Sequence, residues 1–118
     1  RIRETKIMLK ELTQKYIESF TSKDLDKCAK LFTEDFVLED PVVKRIEGKE
    51  EVLKAIKGIF DSCTTLDFSA KNIYQDNQTT IIEFILKLDD AVLMGTDIIE
   101  WEGNKMKELR AYLDIPKG

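Results

Sequence analysis

Two aspartates carry the chemistry that this chain can offer. Asp40 closes the run Phe36-Val37-Leu38-Glu39-Asp40, whose alternation sets Phe36, Leu38 and Asp40 on one face and Val37 and Glu39 on the other. The face with two large apolar side chains points inward and takes Asp40 with it. Pro41 ends the strand by removing a donor and holds Asp40 extended. A carboxylate fixed on an apolar face, with no basic residue beside it, is a candidate for a raised pKa and a general-base role. The alternative is a strand-end aspartate turned out to solvent. Asp97 lies in the middle of a second row, Leu93, Gly95, Asp97, Ile99 and Trp101, on one face of a predicted strand. Burying an unpaired charge costs several kcal/mol, so Asp97 is either bonded to a neighbouring Tyr, Thr or Asn or protonated.

Histidine is absent from the sequence, which removes Ser-His-Asp and Cys-His arrangements and the commonest zinc ligand. Acid-base work near neutral pH then falls to carboxylates, tyrosines or lysines with shifted pKa values. The two cysteines, Cys28 and Cys63, fall in predicted helices without metal or redox spacing. Neither a metal nor a cofactor is expected.

These residues need elements to hold them. The 118 residues suffice for one domain, 1–118, with a real core. A net charge of -4 argues against a nucleic-acid surface. No apolar run spans a bilayer and no signal peptide opens the chain, so a cytoplasmic setting with reduced cysteines is the expectation. A first residue that is Arg1 rather than methionine fits either a trimmed chain or a domain taken from something longer. A helix is predicted from about Glu4 to Phe20, with Leu9, Leu12, Thr13, Tyr16, Ile17 and Phe20 on one stripe, which turns Tyr16 inward. Asp24 is the candidate N-cap of a short second helix through Phe32. After the strand ending at Asp40 come a loop, Val42 to Glu47, and a third helix led by Gly48 with Val52, Leu53, Ile56, Ile59 and Phe60 inward. Leu66 to Tyr74, Thr79 to Leu88, Ala91 to Trp101 and Lys105 to Leu113 read as strands joined by short turns, hence an antiparallel meander. The plan is α+β, with three N-terminal helices covering one face of a curved antiparallel sheet.

Laid out in this order, the segments resemble the ketosteroid-isomerase-like, or SnoaL-like, branch of the nuclear-transport-factor-2 (NTF2-like) superfamily. The resemblance runs over nearly the whole chain. It rests on Gln14-Lys15-Tyr16-Ile17, Lys23-Asp24-Leu25-Asp26, Leu31-Phe32-Thr33-Glu34-Asp35-Phe36, Glu39-Asp40-Pro41-Val42, Glu47-Gly48-Lys49-Glu50, Thr96-Asp97-Ile98-Ile99-Glu100-Trp101 and Leu109-Arg110-Ala111-Tyr112. It implies a cone with a pocket between helices and sheet. In the steroid isomerases of that group an aspartate shuttles the proton, while a tyrosine and a protonated aspartate donate to the enolate oxygen. The resemblance places those roles on Asp40, Tyr16 and Asp97, without a cofactor. Departures are visible too. The tyrosines that support the oxyanion tyrosine in those enzymes are replaced by Phe32 and Ile56, and Val43, Lys44 and Arg45 stand where a glycine usually follows. Two cations near the mouth would suit an anionic ligand, or they are ordinary solvated loop charges.

A scytalone-dehydratase chemistry needs histidines, and a limonene-epoxide-hydrolase set needs an arginine where Gly95 stands. The expectation is therefore an apolar pocket lined by Phe36, Leu38, Phe60, Ile99 and Trp101, holding a small apolar carbonyl-containing or anionic ligand. Its polar trio serves either isomerase-like proton transfer beside a carbonyl or, in a non-catalytic module, ligand binding or oligomerisation. Apolar residues on both faces of the late strands, with Ile81, Ile85, Val92, Met94 and Ile98 on the second face, predict a homodimer through the convex side of the sheet.

Overall fold

A stripe of apolar residues at helical spacing organises the first element, α1 (Leu9–Thr21), and buries Leu9, Leu12, Tyr16, Ile17 and Phe20 against the sheet. The computed structural model describes residues 8–42 and 44–114, so the expected first turn from Glu4 lies outside the described residues. Asp24 caps α2 (Leu25–Lys30), its carboxylate accepting the Lys27 N–H at 3.0 Å. This helix stops short of Phe32, which was expected to close it. Phe32 instead opens β1 (Phe32–Asp40), because the Leu31 carbonyl accepts the Met106 N–H at 2.6 Å and draws the chain into a ladder.

The segment expected as a loop from Val42 to Glu47 contains a strand, β2 (Lys44–Glu47), antiparallel to β1 with Asp40 opposite Lys44 and Val37 opposite Glu47. Four residues, three of them charged, are too few to display an alternation, and the strand exists because β1 offers it an edge. Gly48 follows at φ +100°, a backbone that disfavours any side chain, and its N–H donates to the Phe36 carbonyl at 2.8 Å. That bond fixes the start of α3 (Lys49–Asp61), which buries Val52, Ile56 and Phe60.

The second half is the expected meander of β3 (Leu66–Asp76), β4 (Thr79–Leu88), β5 (Ala91–Glu102) and β6 (Lys105–Leu113), each antiparallel to the next. Asn77, Asp89 and Gly103 take positive φ at the three connections. The sheet is nevertheless not purely antiparallel as expected. Its order is β2-β1-β6-β5-β4-β3, and β1 lies parallel to β6. A parallel neighbour needs a long connection, and here the connection is α3 with four strands, a pairing that no local pattern announces. Register shifts at Ala70/Asn72 and Glu100/Trp101 bend the strands. The result is an α+β cone with one core between the helices and the concave face, where Phe32, Phe36, Ile82, Ile99 and Met106 are fully buried.

A chain of buried hydrogen bonds ties α1 across that core. Trp101 Nε1–H donates to Thr80 Oγ1 at 2.8 Å, Thr80 and Thr13 hydroxyls bond at 2.8 Å, and Thr13 donates to the Leu9 carbonyl at 2.8 Å. Since Thr13 spends its proton on Leu9, the Thr80 hydroxyl donates to Thr13. At the far end of the helix Thr21 accepts the Phe68 N–H and donates to the Phe68 carbonyl, at 2.9 and 2.7 Å. Among the described residues no helix is long and apolar enough to cross a membrane.

Candidate functional site

Between the helices and the concave face lies a cavity of about 230 Å³ whose polar wall groups are Tyr16, Asp40 and Asp97. Each arrives on a different element. Tyr16 comes from the buried stripe of α1, Asp40 from the last residue of β1, and Asp97 from β5, where it stands between Ile82 of β4 and Ala111 of β6. Alternation makes this unavoidable: Leu93, Asp97, Ile99 and Trp101 share the inward side, and Asp97 is only 5% exposed.

Among the described residues nothing hydrogen-bonds the Asp97 carboxyl, which opens into the cavity. Burial, and then the facing Asp40, push its pKa up to about 8. At neutral pH it is therefore a carboxylic acid with a proton to donate. The Tyr16 phenol is pushed well above its ordinary value by burial first, then by Asp97 and Cys28, so it too keeps its proton. Its ring is clasped by Phe20 at 5.9 Å, Phe68 at 6.0 Å and Phe32 at 6.5 Å. The hydroxyl bonds to no other described residue. Phe32 stacks on Phe36 with centroids 4.0 Å apart. Asp40 is half-buried, and its Oδ1 accepts the Val42 N–H at 2.8 Å, a bond that bends the chain after Pro41 and aims the carboxylate.

The remaining wall is apolar. Phe36 and Leu38 of β1 belong to it as expected positions, while Phe60, Ile99 and Trp101 are packed into the core next to it rather than along the wall. Phe60 meets Phe20 edge-on at 5.0 Å, and Trp101 is held by Thr80. The wall is completed by residues that sequence reasoning left out of the site: Phe20, Phe68, Phe84, Leu109 and Ala111, among others. Their inward direction is legible from the helical stripe of Phe20 and from the period-two runs Leu66-Asp67-Phe68 and Leu109-Arg110-Ala111. What is not legible is which inward residues meet a void and which meet each other. Arg45, expected near the mouth, bonds Glu39 at 2.9 Å and Glu47 at 3.2 Å and lies 3.7 Å from Glu108. With Lys44 it borders a second depression that takes in Glu39, Pro41 and Tyr112 and shares Asp40 and Ala111 with the cavity. Among the described residues no three His, Cys, Asp or Glu side chains converge to hold a metal ion.

A donor pair facing a carboxylate in an apolar cavity is suited to stabilising negative charge on a carbonyl oxygen while a proton moves nearby. Comparison with known proteins bears on this geometry. The family model of the SnoaL-like domain matches residues 13–109. No curated protein matches the chain. In structure it is similar to an NTF2-like protein of unknown function from Cytophaga hutchinsonii, with a TM-score of 0.81 and 13% identity over 95% of each chain. A provisionally named ketosteroid isomerase from Kribbella flavida superposes with a TM-score of 0.80 at 18% identity, over 93% of this chain and 80% of that one. A provisionally named SnoaL-like polyketide cyclase from Shewanella denitrificans gives 0.78 at 15% identity over 90% of each. Identities this low establish a shared fold and nothing about the reaction.

Proposed function

The chain belongs to the SnoaL-like domain family, and from that premise we propose that its cavity binds a small apolar carbonyl compound and moves a proton beside the carbonyl. Asp40 is the base that removes the proton from the α-carbon and returns it further along the conjugated system. Tyr16 and Asp97 donate hydrogen bonds to the oxygen as it takes on enolate charge. The observation that carries this reading is the placement of Asp97, a buried acid on the cavity wall whose pKa burial pushes up to about 8, beside the buried Tyr16 hydroxyl. Donors already fixed in an apolar wall need no reorganisation when charge develops, which is where such sites gain their rate.

The reaction class is tested with cyclohex-3-enone, followed by ultraviolet absorbance as it conjugates to cyclohex-2-enone. Asp40→Asn is expected to lower the rate by about 10²-fold or more. Asp97→Asn, which keeps a donor but a weaker one, is expected to cost less than Asp40→Asn. A native protein without turnover, or an Asp40→Asn variant as active as its parent, defeats the catalytic reading.

A second reading is favoured by one specific observation. The Tyr16 hydroxyl is steered only by aromatic packing, with Phe32 and Ile56 offering no hydrogen bond, so the trio is less firmly oriented than a catalyst needs. In that reading the same groups hold the carbonyl of a ligand without transforming it. Saturable binding of cyclohexanone with no isomerisation of cyclohex-3-enone selects it.

A further inference from the structure

The charge of the cavity is one-sided. Two of its polar groups are carboxyls, and no Lys or Arg side chain contributes to its wall among the described residues. Of the nearby cations, Arg45 is committed to Glu39 and Glu47, and Arg110 to Glu100 at 2.8 Å and Glu108 at 3.0 Å, while the exposed Lys44 stands opposite Asp40 on β2, outside the wall of the cavity. Asp97 is buried, opens into the space and makes no hydrogen bond there with any described residue. Around the acids stand aromatic rings, with Phe20 and Phe84 each 5.2 Å from Phe68, and Phe36 on the β1 side. Ring faces attract cations through their quadrupole, and carboxylates attract them directly. We propose that the cavity accepts compact organic cations, an ammonium group on an apolar body of about one ring, with the charge held between Asp40 and Asp97 and the body against the Phe and Leu wall. The body is limited because about 230 Å³ falls below the ~300–1,000 Å³ of common ligand sites. This inference uses the cavity of the reading above but not its catalysis.

The proposal carries a proton with it. In the empty site Asp97 is protonated, since the groups that face it are Asp40 from β1 and Tyr16 from α1, while α3, β3, β4 and β6 present apolar side chains. A cation between the two carboxyls favours the ionised form, so Asp97 gives its proton to the solvent as the cation enters. Below pH of about 8 each cation bound therefore releases close to one proton, and affinity rises toward tenfold per pH unit.

The experiment is titration calorimetry of the whole protein with cyclohexylamine, cyclohexanol and cyclohexanecarboxylate between about pH 6 and 9. The amine remains protonated there, its pKa lying near the lysine value of about 10.4. We expect cyclohexylammonium to bind at least about tenfold tighter than cyclohexanol at pH 8, and to tighten with pH up to about 8 before levelling. The carboxylate is expected not to bind, and Asp97→Asn to flatten the pH dependence. Cyclohexanol or the carboxylate binding as well as the amine, a flat profile in the native protein, or no binding of any probe overturns the proposal. The native profile decides this without any variant. Failure here leaves isomerisation of an uncharged ketone untouched, just as absent turnover would leave cation binding untouched.

Discussion

Among the described carboxylic acids whose pKa is shifted, Asp97 alone is shifted upward. Glu83, Glu100 and Asp89 are held below their usual range by hydrogen bonds, so they favour folding only once ionised. Asp97 is raised, and the sign reverses. A carboxyl with a folded pKa of about 8 and an unfolded value near 4 stabilises the fold fully below pH of about 4 and loses that contribution as pH rises toward 8. The thermal midpoint of the native protein should therefore fall between about pH 5 and 8, a window above the range where the lowered acids titrate. Asp97→Asn has no proton to lose, so its midpoint should fall less; parallel pH profiles for the two proteins would show an ordinary aspartate. The placement of this residue was legible in the row Leu93 to Trp101, where alternation leaves an acid no other direction. Its lack of a bonded partner was not legible. That depends on what β4, β6 and α1 bring opposite it, and those contacts lie far apart along the chain.

At the scale of elements two contacts are testable, one between helix and sheet and one between neighbouring strands. Thr80 is the middle of the buried chain from Trp101 to Thr13 and Leu9, and Thr80→Val keeps its shape while removing the acceptor of the Trp101 N–H. A buried donor left unsatisfied costs about 1–3 kcal/mol, which denaturant unfolding would register as a lowered midpoint with an unchanged slope. No change in midpoint would mean that water or a neighbour replaces the hydroxyl. Gly95 faces the closing strand so tightly that a Cβ there would collide with the Tyr112 carbonyl and come within 2.6 Å of the Leu113 Cβ. Gly95→Ala should therefore spread β5 from β6 beside Asp97 and destabilise the protein beyond the cost of the Thr80 change; a neutral effect would contradict the close approach. The main helices and the meander were legible because their apolar periods repeat over long runs. The strand Lys44–Glu47 and the parallel pairing of β1 with β6 were not, because each exists only through a neighbour that tertiary structure supplies.

For the whole molecule, the question is what becomes of the outer sheet face. The second-face pattern read in the sequence appears as a surface where Ile81 lies opposite Ile98 and Ile85 opposite Met94, with Val92 55%, Met94 51% and Tyr112 53% exposed. A sheet face in water would alternate to polar residues, and an apolar area of this kind normally marks an interface. We expect a two-fold homodimer through this face at micromolar concentration. Sedimentation should give twice the chain mass, and Met94→Glu should give the single mass; a native monomer, or a dimer that tolerates Met94→Glu, rules that surface out. The cavity lies on the opposite, concave side, so pairing leaves its chemistry in place. That chemistry stands or falls on whether Asp97 is a neutral acid at neutral pH, and carbon-13 chemical shifts of the Asp97 carboxyl followed through a pH titration measure it directly. The account predicts a midpoint near 8 for this group. A midpoint near 4, the value of an aspartate in water, would contradict it and remove both the oxyanion donor and the proton-linked cation site.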